Sequence, residues 1–328
     1  MTRARTTGTD ATARTTAAKN TAAKNTAAKN TAAAAPTTHL VRSHDVTLHA
    51  VTQGRPDGPV VVLVHGYPDD HSIWDDVAAA LATTCRVIRY DVRGAGRSEA
   101  PRQRVRGYRM ERLQADLISV IDALAPDERV HLVGHDWGSI QLWASVTAPR
   151  LQHRFASFTS LSGPSLDHVG HQSRAAFTSG DARQVRAGLR QTLASWYVMA
   201  FQLPLLPELI VSGSSGAAVE RRIEQAEGLP AGALASPHRE RNARNGIGLY
   251  RANMLPRMAR PRPQRTAVPV HLVVAERDAY VSPWMAEACL PWVDELTVTR
   301  VDGGHWIYRA QPQLLVEAVL ATVSRADA

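Results

Sequence analysis

Downstream of Pro36, short β-branched runs alternate with longer segments of helical periodicity, and that alternation leaves few folds open. The run at 60–64 is apolar throughout, as a strand buried on both faces must be, and those at 86–90, 129–133 and 155–161 are mostly apolar. Residues 73–81 and 110–124 lie between them with apolar side chains at helical spacing. Parallel neighbours need crossover connections of this kind, so the pattern predicts an α/β fold with a mostly parallel, doubly wound sheet. Residues 39–52 read as an antiparallel entry hairpin, interrupted at Ser43-His44-Asp45. From 163 to about 266 the alternation stops; helical patterns such as 191–201 and 217–227 appear with many prolines and no strand pattern. The sheet pattern resumes at 268–274 and 296–301, and 312–324 closes as a helix. An insertion that leaves from the carboxyl end of a parallel sheet covers the end where ligands bind. The expected organisation is a tail at 1–37, a core at 38–163, a helical lid at 164–266 and the rest of the core at 267–328.

The tail changes how the charge is read. The chain carries +8 formally, but residues 1–36 hold six of the basic residues against Asp10 alone, which leaves +3 for everything else. That segment repeats Thr-Ala-Ala-Lys-Asn three times from Thr16 and has no large apolar side chain with which to dock, so it is expected to be disordered and basic. No specific nucleic-acid partner follows from it. Cys85 and Cys289 are far apart and fit neither a metal-ligand spacing nor a disulfide framework. No apolar run has the length of a membrane span and no secretory leader is evident, so a soluble cytoplasmic protein is expected.

The chemistry concentrates at Gly134-His135-Asp136-Trp137-Gly138, between an apolar run and an amphipathic segment. Strand, sharp bend and helix in that order make a nucleophile elbow, with Asp136 at its apex and glycines on either side giving the crowded backbone room. An aspartate that merely caps the following helix would read the same way in isolation. Asp278 follows directly on a predicted strand and His305 follows Gly303-Gly304 after the last one, so a parallel sheet brings both to the edge that holds Asp136.

Other motifs extend the pattern. Val60–Val64 leads into His65-Gly66-Tyr67-Pro68, and Arg86–Tyr90 leads into Asp91-Val92-Arg93-Gly94-Ala95-Gly96-Arg97-Ser98. With the elbow, Glu276-Arg277-Asp278 and Gly303-Gly304-His305-Trp306, the chain resembles the α/β-hydrolases from about 39 to 324, and among them the epoxide hydrolases. The resemblance implies an Asp136 nucleophile, a His305 base oriented by Asp278, and an oxyanion hole at the backbone N–H groups of Tyr67 and Trp137. It also implies a pair of lid tyrosines. Tyr197, in Trp196-Tyr197-Val198-Met199-Ala200-Phe201-Gln202, and Tyr250, in Gly248-Leu249-Tyr250-Arg251-Ala252-Asn253, match the family's two segments. Pro68, Trp137, His305 and Trp306 are the expected substrate contacts.

A carboxylate nucleophile suits attack on saturated carbon, because the alkyl ester it forms can then be hydrolysed. Epoxide opening needs acidic O–H donors for the departing alkoxide, whereas a halide leaves without a proton. Haloalkane dehalogenases share Asp-Trp-Gly at the elbow but usually carry Asn or Glu where this chain has Tyr67. The expected activity is therefore epoxide hydrolysis to a vicinal diol, with water as co-substrate and no cofactor; a dehalogenase and a non-catalytic ligand-binding protein on the same fold are the alternatives. Phe177, Leu203, Leu205, Leu206 and Met254 suggest an apolar pocket and a small apolar epoxide. His135 alternates away from Asp136 and is expected to pack or hydrogen-bond. His168 and His171 lack a third ligand, and no metal is assigned.

Overall fold

A computed structural model describes residues 34–327; the tail expected to be disordered lies outside the described residues except at its end. Strands β1 (Ala34–Ser43), β2 (Val46–Gly54), β3 (Val60–Val64) and β4 (Arg86–Tyr90) open the chain, with α1 (Asp75–Leu81) between the last two. Then follow α2 (Met110–Leu124), β5 (Val130–His135), α3 (Trp137–Val146) and β6 (Phe155–Leu161). Six helices come next: α4 (Leu166–Thr178), α5 (Ala182–Ala194), α6 (Trp196–Ala200), α7 (Leu206–Ile210), α8 (Gly213–Glu227) and α9 (Arg239–Ala259). The chain closes with β7 (Val270–Ala275), α10 (Pro283–Ala286), β8 (Leu296–Val301), α11 (Ile307–Ala310) and α12 (Pro312–Ala326).

The eight strands form one sheet in the order β1-β2-β4-β3-β5-β6-β7-β8, parallel from β4 to β8 and antiparallel where β2 meets β1 and β4. Its apolar runs split by parity. In β3, Val60, Val62 and Val64 join one core cluster with α2 and α3, while Val61 and Leu63 join the other with α1 and α12. β5 and β7 divide likewise, which is why their sequences show no polar alternation. Chain direction across the sheet reverses around β3, since β4 lies on one side of it and β5 on the other. The crevice at such a switch point is the place where α/β sheets bind ligands.

Two expectations need correction. The first strand starts at Ala34, inside the stretch assigned to the tail. It is an edge strand whose register shifts between Ala34 and Thr37, and there a proline costs no ladder bond. The helical pattern at 191–201 is two helices, because the chain turns at Ser195 between α5 and α6.

The loop after β4 is fixed by a buried ion pair. Arg93 donates from Nε and Nη2 to the two oxygens of Asp116 on α2, both at 2.6 Å, and from Nη1 to the carbonyl of Gly107 at 2.8 Å. Both side chains are almost wholly out of solvent. Asp116→Ala would strand that guanidinium in the core, so urea denaturation is expected to show a loss of about 3–5 kcal/mol. A change below about 1 kcal/mol would mean that the pair behaves as a surface one.

Candidate active site

β5 ends at His135 and α3 begins at Trp137, so the chain reverses over Asp136 alone, which takes φ 51° and ψ −124°. A positive φ in a non-glycine residue persists only where its surroundings enforce it. A Cβ at Gly138 would collide with the carbonyl of Val64, and one at Gly134 with the backbone of Ser139. The helix thus sits closer to β3 and β5 than any other residue pair would permit. Asp136 makes no side-chain cap to α3; its Oδ1 accepts the Tyr67 N–H at 2.7 Å. That contact spans the switch point, where Val64 and Gly134 are partners in register.

The other oxygen, Oδ2, lies 3.7 Å from Nε2 of His305. His305 Nδ1–H donates to Asp278 Oδ2 at 2.8 Å, while Asp278 Oδ1 accepts the N–H groups of Tyr280 at 2.8 Å and Val281 at 2.9 Å. Burial alone would raise the Asp278 carboxyl, yet the His305 ring and these donors hold it below the ordinary carboxylate range. Burial likewise opposes charge on His305, but Asp278 and Asp136 outweigh it and push the ring up to about 10. The histidine is therefore an imidazolium at neutral pH, held between two carboxylates.

Tyr250 comes from α9 and Tyr197 from α6. Their rings meet edge to face at 6.1 Å, and Tyr250 also meets Trp137 at 4.9 Å and Tyr67 at 5.3 Å. Tyr197 touches Tyr280 at 5.8 Å, which in turn touches His305 at 4.9 Å. A chain of aromatic rings thus runs from the residue after Asp136 through the helical insertion to His305. Burial first, and then the charge of Asp136, pushes the hydroxyls of Tyr197 and Tyr250 well above their ordinary value, so both remain neutral O–H groups.

The remaining sequence-derived residues fall around this set. Tyr67, Pro68 and Trp137 line a void of ≈ 20 Å³ with Gln141 and Leu249; it adjoins the elbow without touching Asp136 or His305. Trp306 is buried against His305 and Tyr280, with its indole N–H donated to Asp69 at 3.2 Å. His135 hydrogen-bonds, donating from Nε2 to the His305 carbonyl at 2.9 Å; burial and the His305 charge push its ring down to about 3. The apolar-pocket set divides. Met254 is buried, but Phe177, near the end of α4, and Leu203, Leu205 and Leu206, at the turn between α6 and α7, are exposed.

Three residues near the site escaped the sequence reading. Tyr280 is one. Asp69 holds both Trp306 and, at 3.1 Å, Arg239 of α9. Glu227, the last residue of α8, accepts the Trp306 N–H at 3.2 Å, over Gly304, where a Cβ would collide with its carboxylate. The first aspartate of His65-Gly66-Tyr67-Pro68-Asp69-Asp70 and the paired glycines before His305 were the available signals.

His49, His71 and Asp91 lie close enough to hold a metal ion. The Asp91 oxygens already accept from the N–H and Nδ1–H of His71, at 2.8 and 2.7 Å, and from the Arg97 N–H at 2.8 Å, which makes the group a clamp for the loop after β4.

Residues 59–309 match the family model described as alpha/beta hydrolase fold. The chain belongs to the α/β-hydrolase family. It is 35% identical over 283 residues to the Mycobacterium tuberculosis protein named "Probable oxidoreductase EphD", a match covering 84% of this chain and 47% of that one. Epoxide hydrolase A of the same organism is 32% identical over 178 residues, covering 54% of this chain and 51% of that one. The chain thus spans about half the length of these curated relatives. In structure it superposes on an epoxide hydrolase from Bacillus megaterium with TM-score 0.71 at 19% identity, over 87% of this chain and 100% of that one. At that identity the likeness concerns the fold.

The raised His305 value has a testable origin. A folded value above the usual ~6.5 means that the imidazolium adds stability below that pH, and the contribution is lost as the pH rises through about 10. Asp136→Asn removes one of the two charges that raise it. Titration of the His305 ring by NMR is expected to show a clear fall relative to the parent; an unchanged value would assign the shift to Asp278 alone.

Proposed function

We propose that this α/β-hydrolase opens epoxides through an ester on Asp136 and releases vicinal diols. The observation that carries the reading is the pair of neutral hydroxyls, Tyr197 and Tyr250, gathered with a carboxylate nucleophile whose second partner is a histidine. Oδ1 of Asp136 is engaged by the Tyr67 N–H, so Oδ2 attacks the epoxide carbon as its C–O bond breaks. The tyrosines donate to the departing alkoxide in a site from which water is excluded. The ester then carries no charge, so the His305 ring loses a partner that held its proton, and that proton passes to the tyrosine that protonated the alkoxide. As a neutral imidazole it takes a proton from water attacking the ester carbon, while Oδ1 develops negative charge against the Tyr67 and Trp137 N–H groups. Collapse returns that proton to the leaving diol oxygen, and the carboxylic acid left on Asp136 passes its own proton back to His305, which restores the carboxylate and the imidazolium.

The helical insertion at 164–266 serves as the lid in this reading, because it supplies both tyrosines. Tyr67 stands where a dehalogenase usually places Asn or Glu, and its ring packs on Tyr250 and Phe201. An oxidoreductase role for this segment is not favoured either. The Gly94-Ala95-Gly96 loop after β4 has Glu99 where a dinucleotide fingerprint needs its third glycine, and no helix opens there.

The test separates the half-reactions. With a generic epoxide, His305→Gln should accumulate a covalent adduct on Asp136, seen by intact-protein mass spectrometry, because only the second step needs the base. In single-turnover alkylation, Tyr197→Phe and Tyr250→Phe should each be slowed, and the double variant should fall by about 10²- to 10⁴-fold. Unimpaired opening by the double variant removes the tyrosines from the mechanism, and halide release from a haloalkane without diol formation overturns the reading.

A further inference from the structure

The insertion turns an apolar face away from the core. Leu193, Trp196, Leu205 and Leu209 are 74%, 69%, 72% and 70% exposed, and Leu189 and Met199 are more than half exposed. They come from three consecutive helices, α5, α6 and α7, and the turns between them. Monomeric proteins seldom leave so much large apolar surface together without a partner.

In α5 the usual burial is inverted. Its buried residues are Gly188 and Gln191. At 3.6 residues per turn the opposite side of the helix carries Leu189 and Leu193, with Arg186, Arg190 and Arg183 beside them. The three arginines line one shallow surface depression with Ala182 and Ala187, and none of them is in an ion pair among the described residues. Leu205, between α6 and α7, has φ 65°, a left-handed conformation that leucine rarely adopts, and its side chain stands in solvent.

We propose that this face, formed by α5, α6 and α7, binds the surface of an anionic lipid bilayer. Leucine, tryptophan and methionine side chains would enter the boundary between headgroups and acyl chains, while Arg183, Arg186 and Arg190 meet lipid phosphates, the arrangement of interfacial amphipathic helices. No helix among the described residues is long and apolar enough to cross a membrane, so the contact is peripheral. Charge argues against a second copy as occupant. A two-fold interface would bring the same three arginines together, and between residues 172 and 212 the acids are only Asp181 and Glu208, the latter already paired with Arg251.

The test is flotation of the full chain with vesicles of phosphatidylcholine mixed with phosphatidylglycerol, against vesicles of phosphatidylcholine alone. Binding is expected to the mixed vesicles and to weaken with salt. Arg186→Ala with Arg190→Ala should reduce it about 30-fold, and Leu193→Ser with Leu209→Ser should reduce it at least as much, while circular dichroism of both variants matches the parent. Because the basic N-terminal segment is retained throughout, undiminished binding in both variants would assign the affinity to that segment and overturn the proposal. So would equal binding to neutral vesicles, no binding at all, or a dimer seen by light scattering that Leu193→Ser with Leu209→Ser dissolves.

Discussion

The contact between α3 and the ends of β3 and β5 governs the rest of the site. Because Gly134 and Gly138 lack side chains, the helix starts close against the sheet and Asp136 is forced to positive φ. That conformation turns the carboxylate away from the helix it would otherwise cap and out over the crevice between β3 and β5. There the first N–H available is that of Tyr67, because the β3 strand ends in register with Gly134. A one-residue change in that register would exchange the two faces of β3 and separate the donor from the carboxylate.

The insertion is tied to this arrangement through polar contacts as well as through the apolar packing of Leu249, Tyr250 and Met254. On α9, Asn242 accepts the Gly96 N–H at 2.8 Å, Asn245 donates to the Gly94 carbonyl at 2.8 Å, and Asn253 accepts the Met110 N–H at 2.9 Å while donating to the Tyr108 carbonyl. These bonds satisfy backbone groups of the loops after β4 and before α2, which would otherwise be buried unpaired. They also fix the rotation of α9 and so the direction of Tyr250. Asparagine is a poor helix former, and its repeated use within one helix reflects this pairing.

The mostly parallel sheet, its crossover connections and the Asp136, Asp278 and His305 loops could be read from the sequence because each depends on local pattern: apolar runs, turn glycines, and residues at strand ends. The apolar insertion was harder. Phe177, Leu203, Leu205 and Leu206 look like pocket residues by composition, but whether a leucine on a short helix faces inward depends on how five-residue helices such as α6 and α7 are stacked, and no period can be read over so short a length. The break at Ser195 was hidden for the same reason. Asp69 and Glu227 were missed because their partners, Trp306 and Arg239 for one and the Trp306 N–H for the other, are remote in sequence. The tail's expected disorder concerns residues 1–33, outside the described ones.

A single negative charge links the groups of the site. The Asp136 carboxylate contributes to the raised values of Tyr197 and Tyr250 and to that of His305. While it is ionised, the tyrosines keep their protons and the histidine holds one as well, so neither can act as a base. If Asp136 becomes an ester, that influence disappears from all three together. The tyrosines then part with their protons more readily, at the stage when an alkoxide needs them, and the histidine becomes free to deprotonate water. On this argument the order of steps requires no motion of the chain. On the proposed mechanism the acid groups and the base would change readiness as the nucleophile is consumed, and ester hydrolysis, which restores the carboxylate, would return them to their starting state.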